Sequence, residues 1–199
     1  MDFNWLDRLQ AEGFAVVDDF LDADVAHGLW QSARRLKSEG RFRGAGIGQG
    51  SDHQVQKRIR GDEVLWWDGK MGPIESKFSD RLTEVKQAIN QDWFLGLWEW
   101  EGHYACYAPG TYYEKHVDPF REDDSRVLST ITYLNPDWQK EDGGELVIYP
   151  TSHPEGLKIE PKAGRLVVFF SEKLPHEVLK TRRDRYSITG WFKKRKVQR

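Results

Sequence analysis

Hydrophobic positions in the first part of the chain recur at helical spacing. The clearest helix is predicted for residues 76–91, where Phe78, Leu82, Val85 and Ile89 fall three or four residues apart. Most other positions in this segment are charged or polar. One face of the helix is therefore expected to pack against a core while the opposite face meets solvent.

Two further helices and a strand are predicted before this one. Residues 3–12 suit a short helix that ends at Gly13, and the apolar run 14–17 predicts a strand. The next helix has an aspartate at its start, Asp22 or Asp24, either of which can cap it. Its apolar face is formed by Val25, Leu29, Ala33 and Leu36.

The pattern changes near residue 93, after which strands and turns dominate. The predicted strands cover residues 98–107, 127–134, 145–149, 165–170 and 185–192. Many antiparallel strands after a helical support favour a mainly β fold with flanking α elements. We expect a double-stranded β-helix, or jelly roll, braced by N-terminal helices.

The composition fits one domain over residues 1–199. Its predicted parts are a helical support to about residue 92, a jelly-roll core over about 93–192 and a basic tail, 193–199. A net charge of −2 argues against a general nucleic-acid binder. No run reaches the roughly 20 apolar residues of a membrane span, and the start lacks a secretory pattern. The single cysteine, Cys106, fits a cytoplasmic protein without an internal disulfide.

Three residues in the second part match a metal site. His116 and Asp118 lie two positions apart, so on a strand they share a face, and His176 follows as the exit of the predicted strand 165–170. Two imidazoles and one carboxylate form the facial triad that holds non-haem Fe(II) and leaves coordination positions open. The four other histidines are not expected to take part in catalysis: His27, His53, His103 and His153.

Arg185 begins the last predicted strand and points inward if that strand lines a barrel. A buried guanidinium needs an anionic partner, and its planar fork fits a carboxylate. A structural ion pair with one of the acidic side chains would satisfy the same need. Its position nine residues after His176 favours instead a dicarboxylic co-substrate, which could chelate iron at one end and meet Arg185 at the other.

Several stretches resemble the 2-oxoglutarate/Fe(II)-dependent prolyl hydroxylases, in particular the hypoxia-inducible-factor prolyl hydroxylase group and its bacterial relatives. The matching segments are 105–107, 115–118, 131–135, 143–150, 175–178 and 185–191, with 14–21 and 59–62 upstream. The resemblance covers almost the whole chain. One departure is the shorter turn before the metal-binding pair, at residues 108–113, which bears on the pocket entrance.

The resemblance implies roles for further residues. Arg185 would hold the distal carboxylate of 2-oxoglutarate with help from the Tyr133 hydroxyl, while Tyr107, Thr189 and Trp191 would line the same pocket. A mobile loop that closes over a peptide would correspond to about residues 41–60. Its expected substrate and anchoring residues are Arg60, Asp62 and Arg126, the last two as an ion pair.

The implied cofactors are Fe(II), 2-oxoglutarate and O2, and the resemblance also allows ascorbate as a reductant. The expected reaction hydroxylates a prolyl residue in a flexible loop of a protein substrate and converts 2-oxoglutarate to succinate and CO2. Two alternatives stay open: the same chemistry on free proline or another small metabolite, and a metal-binding jelly roll without catalysis. The partner protein and the oligomeric state are not indicated by the sequence.

Overall fold

The computed structural model describes residues 4–45, 60–67, 72–118 and 125–195. Its elements are α1 (Trp5–Glu12), β1 (Phe14–Val17), α2 (Ala23–Ser38), β2 (Arg43–Gly44), β3 (Asp62–Trp66), α3 (Pro73–Trp93), β4 (Leu97–Tyr107), β5 (Tyr113–His116), β6 (Arg126–Tyr133), β7 (Leu146–Ile148), β8 (Leu157–Ile159), β9 (Leu166–Phe170), β10 (His176–Val178) and β11 (Arg185–Lys194). A short 3-10 helix, Lys140–Asp142, lies between β6 and β7.

The strands form two sheets in which neighbouring strands run antiparallel. A seven-stranded sheet has the order β1-β9-β6-β11-β4-β3-β2, and a four-stranded sheet has the order β5-β10-β7-β8. Strand β11 is central in the larger sheet, pairing with β4 along one edge and β6 along the other. The predicted jelly-roll class is confirmed.

The helices cover the outer face of the seven-stranded sheet. The predicted stripe of α3 is buried as expected: Phe78, Leu82, Val85 and Ile89 all join the core cluster that also contains alternate residues of β4, β9 and β11. In α2 the buried residues are Ala26, Leu29, Ala33 and Leu36, while Val25 is only partly buried. Helix α1 ends at Gly13, whose φ of 80° is the left-handed cap that glycine adopts without strain.

A second core cluster fills one end of the space between the two sheets. Tyr107, Ile131 and Tyr133 contribute to it from the larger sheet, and Leu146 and Ile148 contribute from the smaller one. Because side chains alternate across a strand, the same inward faces continue toward the other end of the barrel. Toward that end, β4 and β11 carry His103, Thr189 and Trp191.

Some elements differ from the sequence prediction. Strands β8 and β10 are three residues long, too short for an alternating pattern to reveal them. Helix α3 begins at Pro73, three residues earlier than predicted, because proline at the first turn gives up no helical hydrogen bond. Asp22 occupies the N-cap of α2, but its side chain makes no capping hydrogen bond.

The predicted lid falls mostly outside the described residues, since 46–59 are among those that the structure does not describe. Its flanks form a small antiparallel pair, in which Arg43 of β2 lies opposite Val64 of β3. In the described part of the chain, no helix is long and apolar enough to cross a membrane.

Candidate functional site

The three predicted metal ligands meet in space. One nitrogen of His116, one nitrogen of His176 and one carboxylate oxygen of Asp118 all lie within 4.8 Å of one another. The Asp118 Oδ1 atom is 4.0 Å from His116 Nε2 and 3.9 Å from His176 Nε2. Side-chain shifts of about 1 Å would bring the three atoms to metal-bonding distance of one ion.

Hydrogen bonds orient each of the three side chains toward this point. The Nδ1 atom of His116 lies 2.7 Å from the Glu114 carbonyl, and that of His176 lies 2.9 Å from the Leu174 carbonyl. When each Nδ1 donates its proton to a carbonyl, each Nε2 is left with a lone pair facing the shared centre. This is the tautomer that a metal requires.

The Asp118 carboxylate is fixed through its other oxygen. Its Oδ2 atom accepts hydrogen bonds from Ser129 Oγ at 2.6 Å and from Trp191 Nε1 at 3.0 Å. Oδ1 is therefore the atom left to bind an ion. Ser129 was not among the predicted site residues, because only the β6–β11 register shows that it lies opposite Trp191.

Both histidines lie on strands of the smaller sheet. The sequence did not indicate this placement. His176 starts β10 and pairs directly with His116, the last residue of β5. The prediction that His176 is the exit of strand 165–170 was wrong, because residues 171–175 carry the chain into the other sheet. The prediction that a shared strand joins His116 and Asp118 was also wrong, since Asp118 lies two residues past the end of β5.

Burial sets the charges at this centre. Burial and the nearby His176 ring lower the pKa of His116 to about 4, so this ring is neutral near pH 7. Burial alone would raise the pKa of Asp118, but His176 and the hydrogen bonds from Ser129 and Trp191 hold it below its usual value. Two imidazole nitrogens and one ionised carboxylate are the donor set of the Fe(II) facial triad, so these residues fit the metal.

Arg185 is the first residue of β11, and its side chain lies on the strand face that points between the two sheets. Thr189 follows on the same face four residues later. Its side chain is only 1% exposed, and its Nε donates to the Gly144 carbonyl at 2.7 Å. Among the described residues, no carboxylate forms an ion pair with it, and its Nη2 has no hydrogen-bond partner. The alternative of a structural ion pair is therefore not supported.

Two tyrosines flank this guanidinium as expected. The Arg185 guanidinium carbon lies 5.1 Å from the centre of the Tyr107 ring and 5.0 Å from that of Tyr133. The Tyr133 hydroxyl is buried without a hydrogen-bond partner in the described structure. An unsatisfied hydroxyl beside an unpaired guanidinium is the donor pair that a carboxylate would satisfy.

The inward face of β11 carries the remaining predicted pocket residues. Thr189 and Trp191 lie four and six residues after Arg185 on this face, and Trp191 reaches the metal centre through its hydrogen bond to Asp118. These residues occupy one wall of the space between the sheets, and the metal ligands lie at the Trp191 end of that wall.

The predicted ion pair between Asp62 and Arg126 was wrong. Asp62 lies opposite Tyr107, which pairs with Arg185, whereas Arg126 lies opposite Lys193. Arg185 and Lys193 are eight residues apart on β11, which is about 26 Å at the rise of a strand. Asp62 and Arg126 therefore lie at opposite ends of the sheet.

Each of these charges has another partner. Arg60 makes two hydrogen bonds to Asp62, at 2.6 and 2.9 Å, and its guanidinium stacks 4.8 Å from the Tyr113 ring. Arg126 pairs with Glu101 at 2.7 Å and lies 3.8 Å over the Trp191 ring. Arg60 thus connects the end of the predicted lid to Tyr113, which stacks on His116 at 3.7 Å.

Residues 102–193 match the family described as the 2OG-Fe(II) oxygenase superfamily. This range contains all three metal-site residues and Arg185. Among solved structures, the chain is similar to a Pseudomonas putida prolyl-4-hydroxylase, with 38% identity, a TM-score of 0.89, and coverage of 98% of this chain and 100% of that one.

Two further comparisons concern the hypoxia-inducible-factor group. A prolyl hydroxylase from Trichoplax adhaerens, solved with a hypoxia inducible factor oxygen degradation domain peptide fragment, is 29% identical with a TM-score of 0.84, over 95% of this chain and 87% of that one. Egl nine homolog 1 from Homo sapiens is 34% identical over 194 residues, covering 92% of this chain and 44% of the relative. The chain thus spans about half the length, or less, of the first curated relatives that it matches.

Ser129→Ala should weaken metal binding about 10- to 100-fold with little change in the fold, because the Asp118 carboxylate loses an orienting donor. A hydroxyl has one proton, so Ser129 donates to Asp118 while it accepts from Ser171 at 2.8 Å. Ser171→Ala is the matched control and should cost less. Calorimetric titration with Mn(II) measures both affinities, and equal affinity in wild type and Ser129→Ala would contradict the assignment.

Lowering the pH from 7 to 5 should destabilise the metal-free protein, with about 1–2 kcal/mol of the loss due to His116. In the unfolded chain this histidine takes up a proton near pH 6.5, but in the folded protein only near pH 4. The unfolded state therefore binds more protons in this window, and stability rises with pH. Urea unfolding of wild type and His116→Gln at both pH values measures the difference. Equal losses in the two proteins would show that His116 is not held neutral.

Proposed function

Because this chain belongs to the 2OG-Fe(II) oxygenase superfamily and resembles prolyl hydroxylases over nearly its whole length, we propose that it hydroxylates a prolyl residue in a flexible loop of another protein. The similarity to the Pseudomonas putida enzyme across both whole chains supports this activity. The buried, unpaired Arg185 guanidinium is the observation that carries the co-substrate assignment. It distinguishes a site built for a dicarboxylate from a site that only binds a metal.

The metal would be held by His116 Nε2, Asp118 Oδ1 and His176 Nε2. When Fe(II) and 2-oxoglutarate are bound, such a centre couples oxidative decarboxylation by O2 to insertion of one oxygen atom into a C–H bond, giving succinate and CO2. Ascorbate would serve as a reductant that keeps the metal in its ferrous form. The protein acts in the cytoplasm in this proposal.

The protein residues contribute position and charge. Arg185 and Tyr133 would bind the distal carboxylate through paired hydrogen bonds, which fixes the co-substrate along the inward face of β11. Ser129 and Trp191 keep Asp118 ionised and aimed at the metal. Phe169, whose ring lies 4.9 Å from the His176 ring, contributes apolar surface that keeps bulk water from this side of the centre.

An aromatic rim lies where a peptide would approach. Trp66 is 49% exposed, and its ring stacks on Trp191 at a centroid distance of 6.1 Å and an angle of 26°. Flat aromatic faces are the surfaces that bind proline-containing segments in other recognition domains. This feature supports a peptide substrate over a small metabolite. Arg126, which lies over the Trp191 ring, would then order the rim, whereas Arg60 and Asp62 would hold the end of the predicted lid through their own pairing.

Arg185→Ala should raise the 2-oxoglutarate concentration needed for half-maximal turnover at least about 30-fold, the equivalent of about 2 kcal/mol. The carboxylate would enter a buried pocket that had lost its cation. Arg183→Ala is the matched control, since Arg183 is more exposed and faces Asp142. Succinate formation at varied 2-oxoglutarate measures the requirement, and an unchanged value for Arg185→Ala would place the carboxylate elsewhere.

The activity itself is tested by comparing, by mass spectrometry, the proteomes of cells that express either the wild type or His116→Ala. A prolyl peptide that gains one oxygen only with the wild type identifies the reaction and the partner together. The alternative outcome is that no protein is modified while the purified enzyme forms succinate in the presence of a metabolite. That outcome would support the oxygenase chemistry and refute the protein substrate.

A further inference from the structure

His103 is a buried histidine next to the metal centre and was not expected to contribute to it. It lies on β4 opposite Thr189 of β11, on the inward face shared with Tyr107. The rings of Trp66 and Trp191 cover it at centroid distances of 4.7 and 5.7 Å. The His103 side chain is consequently shielded from bulk solvent, with an exposure of 2% for the residue.

Neither ring nitrogen of His103 has a hydrogen-bond partner among the described residues. Leaving a buried donor and acceptor unsatisfied is unfavourable, and histidines that serve only to fill a core are usually hydrogen-bonded. Burial and the positive charges of Arg60 and Arg126 lower the pKa of His103 to about 3. The ring is therefore neutral at ordinary pH and offers one N–H donor and one acceptor.

The unsatisfied polar atoms on this sheet face form a row. Besides His103, they are the Tyr133 hydroxyl, Arg185 Nη2 and Ser187 Oγ. Ser187 lies opposite Tyr133, and Thr189 lies opposite His103. The distance along β11 from Arg185 to Thr189 is about 13 Å at the rise of a strand. Side chains that reach inward from both ends shorten this span. A row of orphaned groups along one wall indicates a polar ligand that lies along it.

We propose that His103 donates a hydrogen bond to the keto-acid end of 2-oxoglutarate, opposite the end that Arg185 binds. The inference rests on the co-substrate site of the proposed function. Trp191, which covers His103, also donates to Asp118, so His103 lies at the metal end of the row. A peptide is the less suitable partner, because the Trp66 ring of the aromatic rim covers His103.

The test measures 2-oxoglutarate affinity without turnover, by calorimetric titration into the Mn(II)-loaded protein under anaerobic conditions. His103→Leu should weaken binding at least about tenfold, the equivalent of about 1.4 kcal/mol, while Mn(II) binding alone stays unchanged. His103→Gln, whose amide retains a donor and an acceptor, should recover most of the affinity. Arg185→Ala serves as the reference for loss at the other end.

The melting temperature of the ligand-free protein distinguishes a ligand-binding role of His103 from a structural role. If His103 is unsatisfied until the ligand binds, His103→Leu should leave the melting temperature of the ligand-free protein equal or higher. A lower melting temperature with unchanged 2-oxoglutarate affinity would overturn the proposal and make His103 a core residue. His103→Met, a flexible apolar replacement, decides the question if the leucine variant does not fold. Wild type that fails to bind 2-oxoglutarate would instead refute the co-substrate site of the proposed function.

Discussion

The placement of β11 between β4 and β6 is the constraint on which the site depends. Its antiparallel register fixes which residues point into the space between the sheets, and that inward row contains Arg185, Ser187, Thr189 and Trp191. The opposite face of the same strand packs Tyr186, Ile188 and Phe192 against the helices. A shift of one residue would exchange the two faces, which would bury Arg185 among apolar side chains and remove Trp191 from Asp118.

The electrostatics of the site follow from where each group is buried. His116 is neutral because burial disfavours its charged form, whereas Asp118 stays ionised because His176 and two hydrogen bonds compensate its burial. At the other end of the row, Arg185 has no carboxylate partner among the described residues. The protein thus holds one anionic end suited to a metal cation and one cationic end suited to a carboxylate. A dicarboxylate that chelates a metal matches both ends at once.

Much of this arrangement could be predicted from the sequence, because it rests on residue type and periodicity. The stripe of α3, the long strands β4, β6 and β11, and the ligands His116, Asp118 and His176 all belong to this class. What could not be predicted depends on register and on pairing between sheets. The direct pairing of His116 with His176, the support of Asp118 by Ser129, and the separation of Asp62 from Arg126 are properties of strand alignment. His103 was dismissed for the same reason, since its isolation beneath two tryptophans is visible only in three dimensions.

A crystal structure of the protein with Mn(II) and 2-oxoglutarate would test the central claim most directly. The account predicts one ion bound by His116, Asp118 and His176, with the distal carboxylate of the co-substrate on Arg185 and the Tyr133 hydroxyl. A carboxylate bound away from Arg185, or an ion held by other residues, would contradict it.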